Sequence, residues 1–141
     1  MIPFPYLSFD LGKKRIGVAT KNRIGIITPL PTLFVQGPFP LFWEKHLPML
    51  LEKYMPKGLL FGIPLQPNGE PSEQTRWVES IIEQTRGLTN LPIATVGELL
   101  TSVEAHERLF EMGIPSKKHK EYVDSIAAQI IAETYENKQK S

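Results

Sequence analysis

The sequence predicts an α/β domain built on a mixed β-sheet with helices packed against it. Three observations carry this reading. Early in the chain, β-branched and alternating apolar runs are separated by tight turns, the pattern of antiparallel strands. Further on, short apolar runs alternate with segments of helical period, the pattern of strand–helix–strand connections. Glycine and proline punctuate the joints between these segments. At 141 residues the chain is expected to form one domain, 1–141, large enough to bury a core.

The elements follow in order. Leu7 and Phe9 alternate with Ser8, and this first strand ends on an acid, Asp10. Gly12, Lys13, Lys14 and Arg15 form the turn, and Ile16, Val18 and Ala19 begin a second strand that runs to Thr20. Ile24–Thr28 is β-branched and reads as a third strand after a turn at Asn22-Arg23. Pro29, Pro31, Gly37, Pro38 and Pro40 mark an extended connection, in which Leu30, Leu33, Phe34 and Val35 still need burial. From Leu41 to Tyr54, Trp43, Leu47, Leu50, Leu51 and Tyr54 fall at helical spacing, with Pro48 as a kink or a first turn. Leu59–Ile63 is a strand apolar on both faces.

A loop over Pro64–Pro71 carries the turn signal Asn68-Gly69, and Ser72 caps a helix with the stripe Val78, Ile81 and Ile82 that stops at Gly87. Pro92–Val96 is the next strand, followed by Gly97 and Glu98. Thr101 with Glu104 matches a capping box for a helix to about Met112, and Gly113 and Pro115 end it. A last helix covers Lys118 to Asn137.

Composition narrows the function. The chain has no cysteine, which excludes disulfides, thiolate metal sites and cysteine nucleophiles. No apolar run is long enough to span a bilayer and no secretory leader opens the chain, so a cytoplasmic location without membrane association is expected. Net charge is only +1, but the cations are clustered: Lys13, Lys14, Arg15, Lys21 and Arg23 early, and Lys117, Lys118 and Lys120 late. If the fold brings the two runs together, they form a phosphate-attracting face; separately, each is a solvated surface. His46, His106 and His119 have no ligand spacing and read as surface or helix residues, and Trp43 and Trp77 as core anchors.

Three acids stand where an acid is costly. Asp10 ends a buried strand, beside Gly12 and Gly17, where another segment or a ligand could approach the backbone. Glu98 follows directly on the strand Pro92–Val96. Asp124 has Ala127, Ala128 and Ile131 on its own helix face, which points it towards the sheet. If the two strands are parallel neighbours and the last helix crosses them, three carboxylates converge at the end of an open sheet where ligands collect. Three oxygen donors without sulfur or clustered imidazole suit Mg²⁺ or Mn²⁺, and such sites drive in-line displacement at phosphorus. The structural alternative is that Asp10 bonds its own turn, Asp124 pairs with a lysine and Glu98 caps the helix at Thr101.

Four stretches together resemble the YqgF/RuvX family of ribonuclease-H-like proteins over nearly the whole length. They are Asp10-Leu-Gly-Lys-Lys-Arg-Ile-Gly-Val-Ala-Thr20, Gly62-Ile-Pro64 with Gly69, Glu98-Leu-Leu-Thr-Ser-Val-Glu-Ala105, and Asp124-Ser-Ile-Ala-Ala128. The resemblance implies a ribonuclease-H-like fold, a five-stranded mixed sheet flanked by helices. It also implies a cytoplasmic, bacterial nuclease in which Asp10, Glu98 and Asp124 hold Mg²⁺ or Mn²⁺ and do the catalysis. Its substrates would be the 5′ leader of precursor 16S rRNA or, alternatively, a four-way DNA junction, cut by a monomer or a homodimer. Lys13, Lys14, Arg15, Lys117, Lys118 and Lys120 are the candidate nucleic-acid contacts, and no organic cofactor is expected.

One departure from the family pattern is visible. Gly97 and Leu99 stand where the family has Asp and Arg on either side of the Glu. That loss takes away a possible extra ligand and a bidentate contact. It supports a different class of function, a catalytically weak nucleic-acid-binding or ribosome-assembly factor on the same fold. An actin-like ATPase, which also opens on an Asp-x-Gly hairpin, needs a second phosphate-binding half that the sequence does not show.

Overall fold

The computed structural model describes residues 1–98 and 102–140, without the side chains of residues 102–106. Strands β1 (Tyr6–Leu11), β2 (Arg15–Lys21) and β3 (Ile27–Phe34) come first, then helix α1 (Phe39–Tyr54), strand β4 (Gly58–Pro64), helix α2 (Glu73–Leu88), strand β5 (Ile93–Glu98), helix α3 (Ser102–Glu111), a 3₁₀ turn (Ser116–Lys118) and helix α4 (His119–Gln139). The sheet has five strands in the order β3-β2-β1-β4-β5. β1 pairs antiparallel with β2, and β2 with β3, whereas β1, β4 and β5 run parallel.

Strand alternation gives the sheet two apolar faces. Leu7, Phe9 and Leu11 face α1 and α2, where Trp43, Leu47, Val78, Ile81 and Ile82 complete one core. Phe9 stacks on Phe61 and meets Trp43 edge-on, at centroid distances of 5.2 Å in each case. Tyr6 and Leu60 face α4 and pack with Val96, Ile131, Ala132 and Tyr135. A capping box between Ser72 and Thr75 starts α2, as the sequence predicts. The Thr101 cap expected for α3 lies outside the described residues.

The third strand differs from its sequence expectation. Ile24 and Ile26 are 80% and 53% exposed and belong to the turn, where Asn22 Oδ1 accepts from both of their backbone N–H groups. β3 instead starts at Ile27 and runs through Pro29 and Pro31. It is an edge strand, where a residue without an N–H is tolerated, so the prolines interrupt neither the pairing with β2 nor the burial of Leu30 and Leu33. Pro48 likewise lies inside α1 and does not end it. His119 is 1% exposed, not a surface residue; its Nε2 lies 2.9 Å from the Ile114 carbonyl, and its ring meets Phe110 edge-on.

Helix α4 packs across the sheet, and polar contacts fix its height. Ser8 Oγ donates to the Ala128 carbonyl at 2.7 Å. The ladder between β2 and β3 shifts register between Ile16 and Val18, and the Val18 N–H donates to Ser125 Oγ at 3.1 Å. Ser125→Ala should therefore leave a buried N–H unpaired and cost about 1–3 kcal/mol, read as a lower urea midpoint with an unchanged m-value.

Candidate metal centre

The three acids come from three different elements and share one face of the sheet. Asp10 is the penultimate residue of β1 and pairs with Gly17 of β2. It is partly buried and shares a face with Tyr6 and Ser8, the face covered by α4. Asp124 stands in the second turn of α4, and Ala127 and Ala128 bring that helix close, as its small-residue stripe predicts. The closeness is extreme at Gly17: a Cβ there would overlap the Asp124 carbonyl. The sequence signal at Gly17 thus reports the approach of a helix backbone, directly over the Asp10–Gly17 pair. Glu98 ends β5 on the α4 face, two residues beyond Val96.

Asp10 and Glu98 are not on neighbouring strands. β4 lies between β1 and β5, so about 10 Å of sheet separates the two backbones. Position 62, between them, is glycine, and Ile131 of α4 fills the space a side chain would take. Glu98 Oε2 lies 3.2 Å from Thr134 Oγ1, whose one proton is shared with the Ile130 carbonyl at 2.8 Å, so the carboxylate stands towards the far end of α4 from Asp124. Among the described residues, no three acid or imidazole groups already stand at ligand spacing.

The acids are nevertheless close enough to feel one another. Burial, then the neighbouring charge of Asp124, then that of Glu98 raise the Asp10 carboxyl from 3.8 to about 7. Among the described residues, Asp124 has one ion-pair partner: Arg15 Nε lies 3.2 Å from its Oδ2, with Arg15 itself largely exposed. That ion pair is off-line for a hydrogen bond, and the buried Oδ2 accepts none. The partner of Asp124 is an arginine of the first turn, not a lysine.

These features are what a hard divalent cation would answer: excess negative charge, a buried carboxylate oxygen with no hydrogen bond, and oxygen donors alone. Asp10, Asp124 and Glu98 therefore fit Mg²⁺ or Mn²⁺ by charge and donor type. Side chains alternate along β5, so position 97 faces Leu65 on the opposite side of the sheet, and a Cβ there would lie 2.8 Å from Leu65 Cδ1. An aspartate at 97 would project there and not among the acids. Leu99 lies outside the described residues.

The cations divide between surfaces. Arg15 stands at Asp124, and Lys14 is exposed beside it, its carbonyl accepting from the Val35 N–H at 2.9 Å. Lys13 is drawn the other way, its Nζ 5.7 Å from the centroid of Trp77, which packs on the α1–α2 side. Lys117, Lys118 and Lys120 are exposed at the start of α4, Lys120 one turn ahead of Asp124. Sequence reasoning missed Ser8, Ser125 and Thr134, which position α4 and Glu98. The signal was a polar residue inside each apolar stripe.

Comparison with known proteins shows the family and the fold. Residues 5–137 match the family model described as RuvX: Holliday junction resolvase. A relative from Dechloromonas aromatica, named "Putative pre-16S rRNA nuclease", is 36% identical over 130 residues, covering 92% of this chain and 88% of the relative. One of the same name from Synechococcus is 29% identical over 133 residues, covering 94% and 83%. Among solved structures, Thermus thermophilus RuvC in complex with a Holliday junction substrate superposes with a TM-score of 0.54 at 11% identity, over 90% of this chain and 89% of that one.

Proposed function

Since the chain belongs to the RuvX Holliday junction resolvase family, we propose that it is a divalent-metal-dependent nuclease that processes the 5′ end of precursor 16S rRNA. One observation carries the proposal: α4 seats Asp124 over the Asp10–Gly17 pair at the carboxyl end of the parallel strands, and the buried Asp124 Oδ2 accepts no hydrogen bond. Asp10 and Asp124 would hold the metal, with Glu98 as a third carboxylate. Bound Mg²⁺ or Mn²⁺ supplies a water of lowered pKa and stabilises the departing oxygen. The chain's own groups do the rest. The cations around the site hold the phosphate backbone, Arg15 next to Asp124 and Lys120 a turn ahead of it. Gly17 and Ser125 fix α4, and so Asp124, against β1 and β2.

Single 1–141 domain organisation and a cytoplasmic site of action belong to the same reading. Among the described residues no helix is long and apolar enough to cross a membrane.

The test is cleavage of a precursor 16S leader RNA and of a four-way DNA junction in Mg²⁺, Mn²⁺ or EDTA. Metal-dependent cutting of the RNA supports the proposal. The family description favours a second reading, a junction resolvase, and paired symmetrical cuts by a two-fold dimer would select it. Binding without cutting under any metal would mark a protein that kept the fold and lost the chemistry.

Lys14 and Arg15 make a further prediction. Lys14→Ala or Arg15→Ala should weaken binding similarly for all sequences and lower the slope of log K against log salt by about 1. Arg15 is half in water but the Asp124 oxygen it faces is buried, so Arg15→Ala should also lower the stability of the metal-free protein. An unchanged salt slope for both variants would remove them from the interface.

A further inference from the structure

The exposed end of β3 presents an aromatic ring one strand from Arg15. Phe34 is 45% exposed and lies directly opposite Arg15 in the antiparallel ladder. Directly opposed residues of such a pair share one face of the sheet. Arg15 reaches Asp124 on the α4 face, so Phe34 points to that face at the sheet edge, one strand out from the arginine, and it also borders the groove on the α1 side. The hydrogen bond from Val35 N to Lys14 O continues the pairing past Phe34 and fixes its backbone against the basic turn. Just beyond, the β3–α1 connection and the first turns of α1 enclose a groove of about 670 Å³. Gln36, Phe42, Lys45 and His46 are among the residues that line it, and Lys45 is the charged side chain among them. Leu33, Phe34, Pro38, Leu41 and Phe42 make the groove mostly apolar, and it opens on the α1 side of β3, across the sheet edge from Asp124. The surface thus runs from Asp124 to Arg15 and on to the exposed ring, with Lys45 at the rim of the groove beyond it. Single-stranded nucleic acid is recognised by this combination, a basic track with an aromatic face on which a base stacks.

We propose that Phe34 is a base-stacking residue for an unpaired nucleotide of the substrate, held beside the basic turn at Lys14 and Arg15. This rests on the nuclease reading above and adds to it: the substrate must be single-stranded, or opened, where it meets β3. A base stacked on Phe34 tolerates any sequence, because every base has a π-face. The competing use of the patch is a protein contact. Leu41 and Met49 of α1 are 64% and 56% exposed and would extend an apolar surface. The basic turn at Lys14 and Arg15, against which Phe34 is fixed, favours the nucleic acid.

The experiment measures binding of a short leader RNA by fluorescence anisotropy, with Ca²⁺ in place of Mg²⁺ to hold off cleavage. A series of RNAs carries one abasic site, moved along the strand. Wild type, Phe34→Ala and Phe34→Trp are compared, with oligomeric state measured alongside. Phe34→Ala should weaken binding of the intact RNA about tenfold and Phe34→Trp should restore it. One abasic position should cost wild type a similar factor and cost Phe34→Ala almost nothing, because the same stacking contact is already lost. The melting temperature should not move, since the ring is exposed. Equal losses for wild type and Phe34→Ala across the whole abasic series would overturn the inference and leave the nuclease reading intact. A change of oligomeric state in Phe34→Ala with RNA affinity unchanged would assign the ring to a protein contact instead. Failure of wild type to bind any RNA or junction would overturn both.

Discussion

Asp10→Asn should abolish cleavage and, in the same protein, raise the stability of the metal-free fold at neutral and higher pH. The two effects have one cause. The Asp10 carboxyl is raised from 3.8 to about 7 by burial and by the charges of Asp124 and Glu98. Between those values the folded state binds a proton that the unfolded chain has released, so stability falls as pH rises from about 4 to about 7 and levels off above. The accumulated cost is up to about 4 kcal/mol at pH 8. Asparagine keeps the shape and removes the charge, so thermal unfolding of Asp10→Asn in EDTA should lose most of this downward slope. Wild type should recover the difference when Mg²⁺ or Mn²⁺ is added, because a ligand of the native state stabilises it by mass action. The variant should gain little. Its cleavage rate should fall by at least about a thousandfold, as expected when a group essential to positioning and charge stabilisation is removed. A variant that cuts at the wild-type rate, or that is less stable than wild type in EDTA at pH 8, would contradict the assignment.

Gly17→Ala should be among the most damaging single methyl additions in the described structure. The added Cβ would overlap backbone of α4, the Asp124 carbonyl, and backbone cannot rotate away as a flexible side chain can. Either α4 lifts, breaking the Ser125–Val18 and Ser8–Ala128 hydrogen bonds, or β2 bends. Overpacking with loss of those bonds should cost about 3 kcal/mol or more, a fall in melting temperature of roughly 10 °C for a domain of this size. Even under conditions where the variant is folded, Asp124 is displaced and activity should fall further than the folded fraction does. Gly62→Ala is a useful comparison. There the obstacle is the Ile131 side chain, which can change rotamer, so the loss should be smaller. Equal melting temperatures for wild type and Gly17→Ala would show that α4 is not seated on β2 in this way.

Much of the fold is written locally. Strand alternation in Leu7–Asp10, the Ser72 cap and the stripe of α2 each have a short-range signature, and the structure reproduces them. The third strand was not legible, because two prolines argue against a strand everywhere except at a sheet edge, and edge position is a property of strand order. The same gap affected the site. Asp10, Glu98 and Asp124 each stand out as misplaced acids, yet periodicity cannot say that β4 separates two of them. Nor could it show that Arg15, read as a phosphate contact, leans on Asp124, or that Thr134 holds Glu98. Gly97 shows the reverse case. From sequence its loss of a carboxylate looks like the loss of a ligand; alternation along β5 turns that position to the other face, towards Leu65.

The most direct test of the account is Mn²⁺ binding followed by electron paramagnetic resonance in wild type, Asp10→Asn, Asp124→Asn and a control, Lys117→Ala. Wild type and the control should take up Mn²⁺ with equal affinity, and each acid variant should lose at least one bound ion or about tenfold or more in affinity. Equal uptake by wild type and both acid variants would show that these carboxylates do not hold the metal, and would contradict the account at its centre.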